Sequence, residues 1–458
     1  MLFRSKTKAV ENEIIEDDAF FNNLRNTQFK RLDQQNQVYL DYTGGNLYPD
    51  SLINQHFKFL KESVLGNPHS TNPSSNLATI YVEEARKKII DYFQADDYFC
   101  VITANASASL QIIGECYPFK NSMFLLTADN HNSVNGIREY CKNRKGDVIY
   151  TPINFEDLTI NEKRLDENLS AFPECDNKLF AFPAQSNVSG IKHDLAWIKK
   201  AQDQGWDVLL DAAAFAPSNP LNLKEIKPDF VSISFYKIFG YPTGLGCLFV
   251  KKSKFNKLVK PWFAGGTVSL VTVNFSGFQL IENHERFENG TVNYLDIPAI
   301  TNGLNFIESI GIERINKRVK ALTAFMIENL NGLKHANGQP LVKVFGSHNI
   351  ELKGGTIIFN VMNENGENIE FETVELMANK KMISLRTGCF CNPGIDEINN
   401  CLTEEELLKY YSTTTKASFK EMVHFLGKMR GAVRVSVGLA TTHKDLSIFI
   451  NFLKSFQQ

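Results

Sequence analysis

One lysine of the sequence stands in surroundings that favour nucleophilic chemistry. Lys237 lies within the aromatic and aliphatic run Phe235–Phe239. Apolar surroundings disfavour the ammonium form of a lysine, and a neutral amine can form a Schiff base with an aldehyde cofactor. The same pattern is typical of a lysine that lays its stem on apolar surface and keeps its charge in water. Taken alone, the run favours this second interpretation.

Other polar side chains follow predicted strands, and ligands of parallel sheets bind at the carboxyl ends of the strands. Asp211 closes an apolar strand, where a carboxylate is costly unless it meets a cation such as a charged ligand nitrogen. It could instead cap a turn. His131 follows another strand, although a lone histidine is more often structural. The segment around Ser107 offers hydroxyl and backbone N–H groups that suit a phosphate or an ordinary helix cap, and Asn187 adds an amide.

Together these groups supply what pyridoxal phosphate needs. The set comprises a phosphate cradle, a ring that can stack, an amide donor, a carboxylate for the pyridine nitrogen and a lysine. An acid opposite that nitrogen keeps it protonated, so that the ring accepts electrons from the substrate.

Two cysteines near the C-terminus form a further candidate site. Cys389 and Cys391 are one residue apart in the stretch Arg386–Gly394. We predict an extended segment, on which alternate side chains point to opposite sides, so that one thiol enters the site while the other packs. The alternative is a pair of small buried hydrophobic residues. The spacing is poor for zinc, and we predict no metal site.

Alternating strands and helices must position these residues. The pattern predicts a mainly parallel, doubly wound α/β sheet with helices on both faces. The last two strands, Phe230–Phe235 and Cys247–Val250, are joined by a short loop and should run antiparallel. The preceding strands are predicted at Tyr98–Thr103, Ser122–Thr127, Asp147–Tyr150, Lys178–Phe182 and Trp206–Asp211. The helices among them are predicted at Asn76–Phe93, from Ser107, and at Val134–Asn143, Glu162–Leu169 and Asp194–Gln204.

A smaller α+β domain is predicted after the sheet. A long helical phase spans Ile297–Leu333, and strands are expected at Val342–Phe345, Gly355–Val361, Met382–Arg386 and Val433–Val437. We therefore divide the chain into an N-terminal arm (1–37) that packs with the small domain, a large cofactor-binding domain (38–296) and the small domain (297–458).

The composition excludes several classes of protein. The 458 residues are 43% hydrophobic and carry a net charge of -2, so no basic surface for nucleic acid is expected. Eight cysteines give no disulfide framework. No apolar signal core or membrane-length run is present, so no membrane partner is expected and a reducing cytoplasm is the predicted location.

The sequence resembles the class V aminotransferase and cysteine desulfurase family of fold-type I pyridoxal-phosphate enzymes, most closely the desulfurase domain of molybdenum cofactor sulfurases. The resemblance covers Val38 to Asp445. It rests on the stretches Tyr39–Gly45, Gly66–Ser70, Ser234–Gly246, Arg286–Thr291 and Leu385–Gly394.

The resemblance implies roles for individual residues of the cofactor site. Lys237 would carry the cofactor as a Schiff base, His131 would stack on its ring and assist proton movement, and Asp211 would pair with its nitrogen. Asn187 would lie near its hydroxyl and the substrate carboxylate. The residues that would bind the phosphate are Ser107, Ser234 and, across a homodimer interface, Thr291.

The resemblance also implies a substrate and a sulfur acceptor on the enzyme. Arg434 would bind the α-carboxylate, as suits a guanidinium fork. Cys391, rather than Cys389, would take the sulfur of L-cysteine as a persulfide, and Arg386 would favour its thiolate and lie at the substrate site. The resemblance does not identify the final acceptor of the sulfur.

Four features depart from the family pattern. Tyr236 replaces a histidine before the lysine, Ala214 replaces a glutamine and Asp396 replaces a cysteine. The sequence ends at Gln458, which we interpret as leaving no room for the carboxy-terminal domain that binds the molybdenum cofactor in two-domain sulfurases.

The leading hypothesis is a homodimeric cysteine desulfurase. The alternatives are an aminotransferase, lyase or epimerase of the same family that acts on another amino acid, and a scaffold or sulfur-relay protein without turnover. The joint presence of Lys237 and Asp211 argues against the scaffold.

Overall fold

The computed structural model describes residues 17–260, 264–414, 416–428 and 431–457. The strands, numbered in chain order, are β1 (Val38–Tyr39), β2 (Tyr98–Thr103), β3 (Ser122–Thr127), β4 (Asp147–Thr151), β5 (Asn177–Pro183), β6 (Asp207–Asp211), β7 (Phe230–Ser234), β8 (Gly246–Lys251), β9 (Val268–Val271), β10 (Phe278–Leu280), β11 (Val342–Val344), β12 (Thr356–Val361), β13 (Ile383–Ser384), β14 (Arg386–Gly388) and β15 (Ala432–Ser436).

Helices connect most of these strands. In chain order they are α1 (17–28), α2 (Arg31–Gln34), α3 (Asp50–Glu62), α4 (Pro73–Phe93), α5 (Ala106–Cys116), α6 (Asn132–Asn135), α7 (Ile137–Asn143), α8 (Glu162–Ser170), α9 (Ala196–Gln202), α10 (Leu223–Ile226), α11 (Phe235–Phe239), α12 (Pro298–Ile310), α13 (Ile312–Gly332), α14 (Phe371–Lys380), α15 (Pro393–Asn399), α16 (Glu404–Thr413), α17 (Phe419–Leu426) and α18 (His443–Lys454).

A seven-stranded sheet carries the larger part of the fold. Its strand order is β2-β8-β7-β6-β5-β3-β4. Strand β8 runs antiparallel to both of its neighbours, whereas the other neighbouring pairs are parallel. Apolar side chains from both faces of this sheet are buried against helices, as the near-continuous apolar strands require. The predicted α/β class and the antiparallel pair β7 and β8 are confirmed.

The connection between β7 and β8 differs from the predicted loop. Its first residues form the short helix α11, which places Lys237 on a helical turn. Gly240, in the left-handed region at φ 82°, ends this turn. The segment is still too short for a crossover to a parallel strand, so the direction of β8 follows as expected.

A second sheet has the antiparallel order β11-β12-β15-β14. The strand predicted at Met382–Arg386 is wrong as a single element. Strand β13 pairs in parallel with β1, whereas β14 pairs with β15. The chain divides because Ser384 accepts a hydrogen bond from Leu40 N (2.8 Å) while Arg386 lies beside Arg434 in the other sheet.

Two predicted helices are also interrupted. The expected helix at Val134–Asn143 is divided at Gly136 into α6 and α7, and the phase Ile297–Leu333 is divided at Gly311 into α12 and α13. Gly311 has φ 89°, a conformation that glycine adopts readily and that ends the first helix. The antiparallel hairpin of β9 and β10 was not predicted.

The described part of the N-terminal arm packs against later helices. Arg25 contacts Asp445 of α18 at 3.1 Å, and Asp17 contacts Arg314 of α13 at 2.7 Å. Residues 1–16 of the predicted arm lie outside the described residues. The division at residues 37 and 296 stays a prediction.

The described ranges contain neither a membrane-spanning helix nor a metal cluster. None of the helices within them is both long and apolar enough to cross a membrane. No group of three or more His, Cys, Asp or Glu side chains among those residues is arranged to hold a metal ion.

Candidate functional site

A cavity of about 330 Å³ opens where the strands of the large sheet end. Six of the predicted site residues line it, and they come from six different segments of the chain. These residues are Ser107 of α5, His131 at the start of α6, Asn187 after β5, Asp211 of β6, Ser234 of β7 and Lys237 of α11. The fold therefore brings together residues 130 positions apart along the chain, because parallel strands present their carboxyl ends at one edge.

Three ionisable side chains of the cavity influence one another. Burial lowers the pKa of Lys237, and the charge of Asp211 opposes this effect. Burial likewise lowers the pKa of His131, again opposed by Asp211. Both bases are therefore more readily neutral than in water, and a neutral amine is the form that attacks an aldehyde.

The carboxylate of Asp211 is fixed in position. Its Oδ1 accepts hydrogen bonds from Ala213 N at 3.1 Å and from Ser232 Oγ at 3.0 Å. His131 is fixed as well, since its Nδ1 accepts from Ser133 N at 3.1 Å. These bonds orient an acid and an imidazole toward one ligand site.

One end of the cavity has the donors of an anion site. Helix α5 begins there, with Asn105 accepting a hydrogen bond from Ala108 N at 2.9 Å. Ser234 Oγ accepts from Ala106 N at 3.1 Å, and Ser107 Oγ lies 2.6 Å from Ser133 Oγ. Hydroxyl groups at the start of an eleven-residue helix suit a phosphate.

A network of charges lies beside this cavity. Arg434, only 3% exposed, donates from Nη1 to Asn187 O and from Nη2 to Asp41 Oδ1, both at 2.9 Å. Arg386 donates from Nε and Nη2 to Asp41 Oδ2 at 3.0 and 2.7 Å. Burial lowers the pKa of Arg434, and the charge of Arg386 lowers it further, whereas Asp41 and, more weakly, Cys391 raise it. Arg434 Nε is buried and has no hydrogen-bond partner among the described residues.

The segment that carries Cys391 is a turn, so the predicted extended conformation is wrong. Phe390 and Cys391 have φ 56° and 55°, both in the left-handed region. Cys391 is exposed and Cys389 is half-buried. Asn132 N donates to Cys391 O at 2.7 Å, and Asn187 Nδ2 donates to Phe390 O at 2.9 Å. The turn is thereby attached to two loops that line the cavity.

Thr291 does not line the Lys237 cavity. It lies with Glu288 and Gly290 on a neighbouring cavity of about 370 Å³. Its Oγ1 donates to Asn67 Oδ1 at 3.4 Å. A phosphate contact from Thr291 therefore stays a prediction that depends on a second copy of the chain.

Sequence reasoning overlooked three residues of this site. Asp41 appears in the sequence analysis only within the stretch Tyr39–Gly45. An acid that follows a strand and precedes the glycine turn Gly44-Gly45 indicates a site residue in the same way as Asp211 does. Gln185 and Tyr236 both line the cavity. Gln185 follows β5 as Asn187 does, so its amide is an equally good candidate, whereas Tyr236 stands out in the sequence only as a departure from the family pattern.

The amine, carboxylate, imidazole and helix start define a class of site. They match an aldehyde, a basic ring nitrogen and a phosphate, which pyridoxal phosphate combines in one molecule. The chain belongs to the aminotransferase class-V family, whose sequence model matches residues 38–449.

Curated relatives match nearly the whole chain. It is 35% identical to the molybdenum cofactor sulfurase of Solanum lycopersicum, covering 94% of this chain and 56% of the relative. It is 35% identical to the human protein of the same name, covering 94% and 50%. The chain thus spans about half the length of the curated relatives that it matches.

Solved structures share the fold. An apo cysteine desulfurase from Thermococcus onnurineus superposes with a TM-score of 0.78 at 23% identity, covering 95% of this chain and 97% of that one. An Escherichia coli cysteine desulfurase in the S-sulfonic acid form gives 0.74 at 20% identity, covering 95% and 98%. At these identities the likeness establishes the fold.

Proposed function

We propose that this chain is a pyridoxal-phosphate enzyme that removes sulfur from L-cysteine and leaves alanine and a persulfide on Cys391. The observation that carries the proposal is the attachment of the Cys391 turn to the loops of His131 and Asn187, at Asn132 N and Asn187 Nδ2. A thiol is thereby tied to a cavity that fits the cofactor. The names of the curated relatives support sulfur chemistry.

The cofactor, when bound, accepts electrons from the substrate carbon that carries the amino group. Lys237 would hold its aldehyde carbon, Asp211 its ring nitrogen and His131 its ring face. The donors for its phosphate would be Ser107, Ser234 and the start of α5. Each assignment follows from the chemistry of the group and from its place in one cavity.

The substrate carboxylate would bind Arg434 and Asn187, with Arg386 as a second cation nearby. Arg434 Nε, which has no hydrogen-bond partner among the described residues, would supply a donor, since a guanidinium binds a carboxylate through parallel hydrogen bonds. The neutral amine of Lys237, favoured by burial, would move the α-proton.

Cys391 would act as the nucleophile in the sulfur step. An S–S bond forms between its Sγ and the substrate sulfur while the carbon–sulfur bond of the substrate breaks. The electron pair of that bond stays with the carbon, which gains a proton and becomes the methyl group of alanine. A thiol reductant then releases the persulfide sulfur as sulfide and regenerates Cys391.

Purified protein loaded with the cofactor tests the proposal. With L-cysteine and a thiol reductant, we expect equal amounts of alanine and sulfide. Lys237→Ala should lose both the visible absorption of the lysine-bound cofactor and turnover. No turnover by the loaded wild-type protein would contradict the proposed activity.

Cysteine variants separate this activity from the alternatives within the family. Cys391→Ala should abolish alanine formation, whereas Cys389→Ala and the exposed control Cys401→Ala should retain it. Retained turnover of another amino acid by Cys391→Ala, without desulfuration by the wild type, would favour an aminotransferase, lyase or epimerase.

We also propose a homodimer with a cytoplasmic location. The hairpin of β9 and β10 exposes Leu270, Val271 and Phe278, and its turn exposes Val273 and Phe275, which together are typical of a surface that another protein covers. Sedimentation velocity of the loaded protein should give twice the chain mass of 51.8 kDa.

A further inference from the structure

Asn392 is completely buried between three segments that meet beside the Lys237 cavity. Its Nδ2 donates to Asp129 O at 2.6 Å and to Asn187 Oδ1 at 3.0 Å. Its Oδ1 accepts from Ile395 N at 3.4 Å, at the start of α15. One side chain thus joins the loop of His131, the loop of Asn187 and the turn of Cys391.

Three further contacts hold the turn that carries Cys391. Gly394 lies directly against the end of the large sheet, since a Cβ at this position would be 1.9 Å from Ala128 O. Asn132 N and Asn187 Nδ2 bind the carbonyl groups of the two left-handed residues. Non-glycine residues keep this conformation only where the surroundings determine it, so these contacts set the place of the thiol.

The bond to Asn187 also connects Asn392 with the substrate site. Asn187 O accepts from Arg434 Nη1 at 2.9 Å. The other partner, Asp129, is itself buried and lies 2.7 Å from His193 through its Oδ2. Both residues that accept from Asn392 Nδ2, Asp129 and Asn187, are therefore held in place by further polar contacts.

We propose that Asn392 is a positioning residue that sets the Cys391 thiol against the substrate in the Lys237 cavity. This inference rests on the proposed function and adds a residue to it. The competing interpretation is that Asn392 serves only as the N-cap of α15, a common use of asparagine.

Two substitutions separate the interpretations. Asn392→Asp and Asn392→Ser both keep an oxygen that can cap α15 but remove both Nδ2 donations. A capping role tolerates both changes, whereas positioning requires the amide. Asn400→Ser is the matched control, because Asn400 bonds to Asp396 at the other end of the same helix. Circular dichroism and cofactor absorption select the variants that fold and load.

The first measurement is kinetic. Both variants should lower kcat and the rate of persulfide formation on Cys391 at least tenfold, with KM and the spectral response to L-cysteine near those of the wild type. Asn400→Ser should match the wild type. Wild-type kcat in either folded variant would overturn the inference.

The second measurement does not depend on turnover. Iodoacetamide labels Cys391, and mass spectrometry follows the rate with and without L-alanine in the loaded protein. We expect L-alanine to slow labelling at least fivefold in the wild type and in Asn400→Ser, but less than twofold in the Asn392 variants. Equal protection in all proteins, or none in the wild type, would overturn the inference. If the wild type forms no alanine from L-cysteine, the proposed function fails, while the labelling still decides the role of Asn392.

Discussion

Arg386 and Arg434 lie directly opposite each other on β14 and β15, and the carboxylate of Asp41 binds both of them. Two adjacent guanidinium groups repel each other, and a carboxylate between them offsets this repulsion. Gly44 leaves room for that carboxylate, since a Cβ there would be 2.4 Å from Asp41 Oδ2. Asp41 thus orients the arginine that we propose for the substrate carboxylate.

Removal of this charge should weaken substrate binding. In Asp41→Asn, Arg434 loses a charged hydrogen bond of the kind that contributes about 1.5–3 kcal/mol, so we expect KM for L-cysteine to rise about tenfold or more, with a smaller change in kcat. Steady-state kinetics and titration of the visible spectrum measure both. Asp33→Asn, in an Arg–Asp pair with Arg25 away from the cavity, is the control. An unchanged KM would count against Asp41.

The ring of His131 can stack on the cofactor, and its ring nitrogen can transfer a proton. Two variants separate these two roles. Burial lowers the pKa of His131 and so favours the neutral imidazole. Its Nδ1 accepts from Ser133 N, so the neutral ring carries its proton on Nε2 and can donate it. His131→Phe keeps the ring, and we expect cofactor affinity within a few-fold of wild type but kcat lower by about a hundredfold. His131→Asn keeps an acceptor for Ser133 N but should bind the cofactor more weakly. Cofactor titration and turnover measure these effects, and wild-type kcat in His131→Phe would contradict a role in proton transfer.

Local sequence determined the parts of the fold that depend on near neighbours. The strands that end in Asp211 and Ser234 were predicted within a residue or two, because apolar runs and short connections are local signals. The contacts of Asp41 span 345 and 393 residues, and no local pattern carries them. The left-handed turn at Cys391 could not be predicted either, since contacts with Asn132 and Asn187, distant in the chain, impose a conformation that cysteine rarely adopts.

The close approach of Gly394 to Ala128 gives a stability test of the same turn. Gly394→Ala places a methyl group against the backbone oxygen of Ala128, and such overpacking costs about 1–3 kcal/mol. We expect a lower Tm and a lower kcat, because α15 and Cys391 must move away from the His131 loop. Gly332→Ala is the control, since no atom of the described residues beyond the local backbone of its own helix lies within 4 Å of its Cβ position. Wild-type Tm and kcat in Gly394→Ala would show that the turn can shift without cost.

Lys353 should make the stability of the protein depend on pH. It is 2% exposed, its Nζ donates to Ser189 O at 2.7 Å, and burial lowers its pKa to about 7. In the unfolded chain the amine keeps its proton up to its ordinary pKa of 10.5. Between these two values the unfolded state binds more protons, so the free energy of unfolding rises with pH.

Lys353→Met removes this titration while it keeps an unbranched side chain. Relative to the variant, the wild type should gain about 2 kcal/mol in the free energy of unfolding between pH 7 and pH 9, since each pH unit contributes up to about 1.36 kcal/mol. The lost hydrogen bond to Ser189 adds a difference that does not change with pH. Urea unfolding of the loaded proteins at both pH values measures the gain, with the exposed Lys409→Met as the control. A constant difference between wild type and Lys353→Met across this range would mean that Lys353 is already charged in the folded protein, because only a neutral buried amine releases its proton on folding.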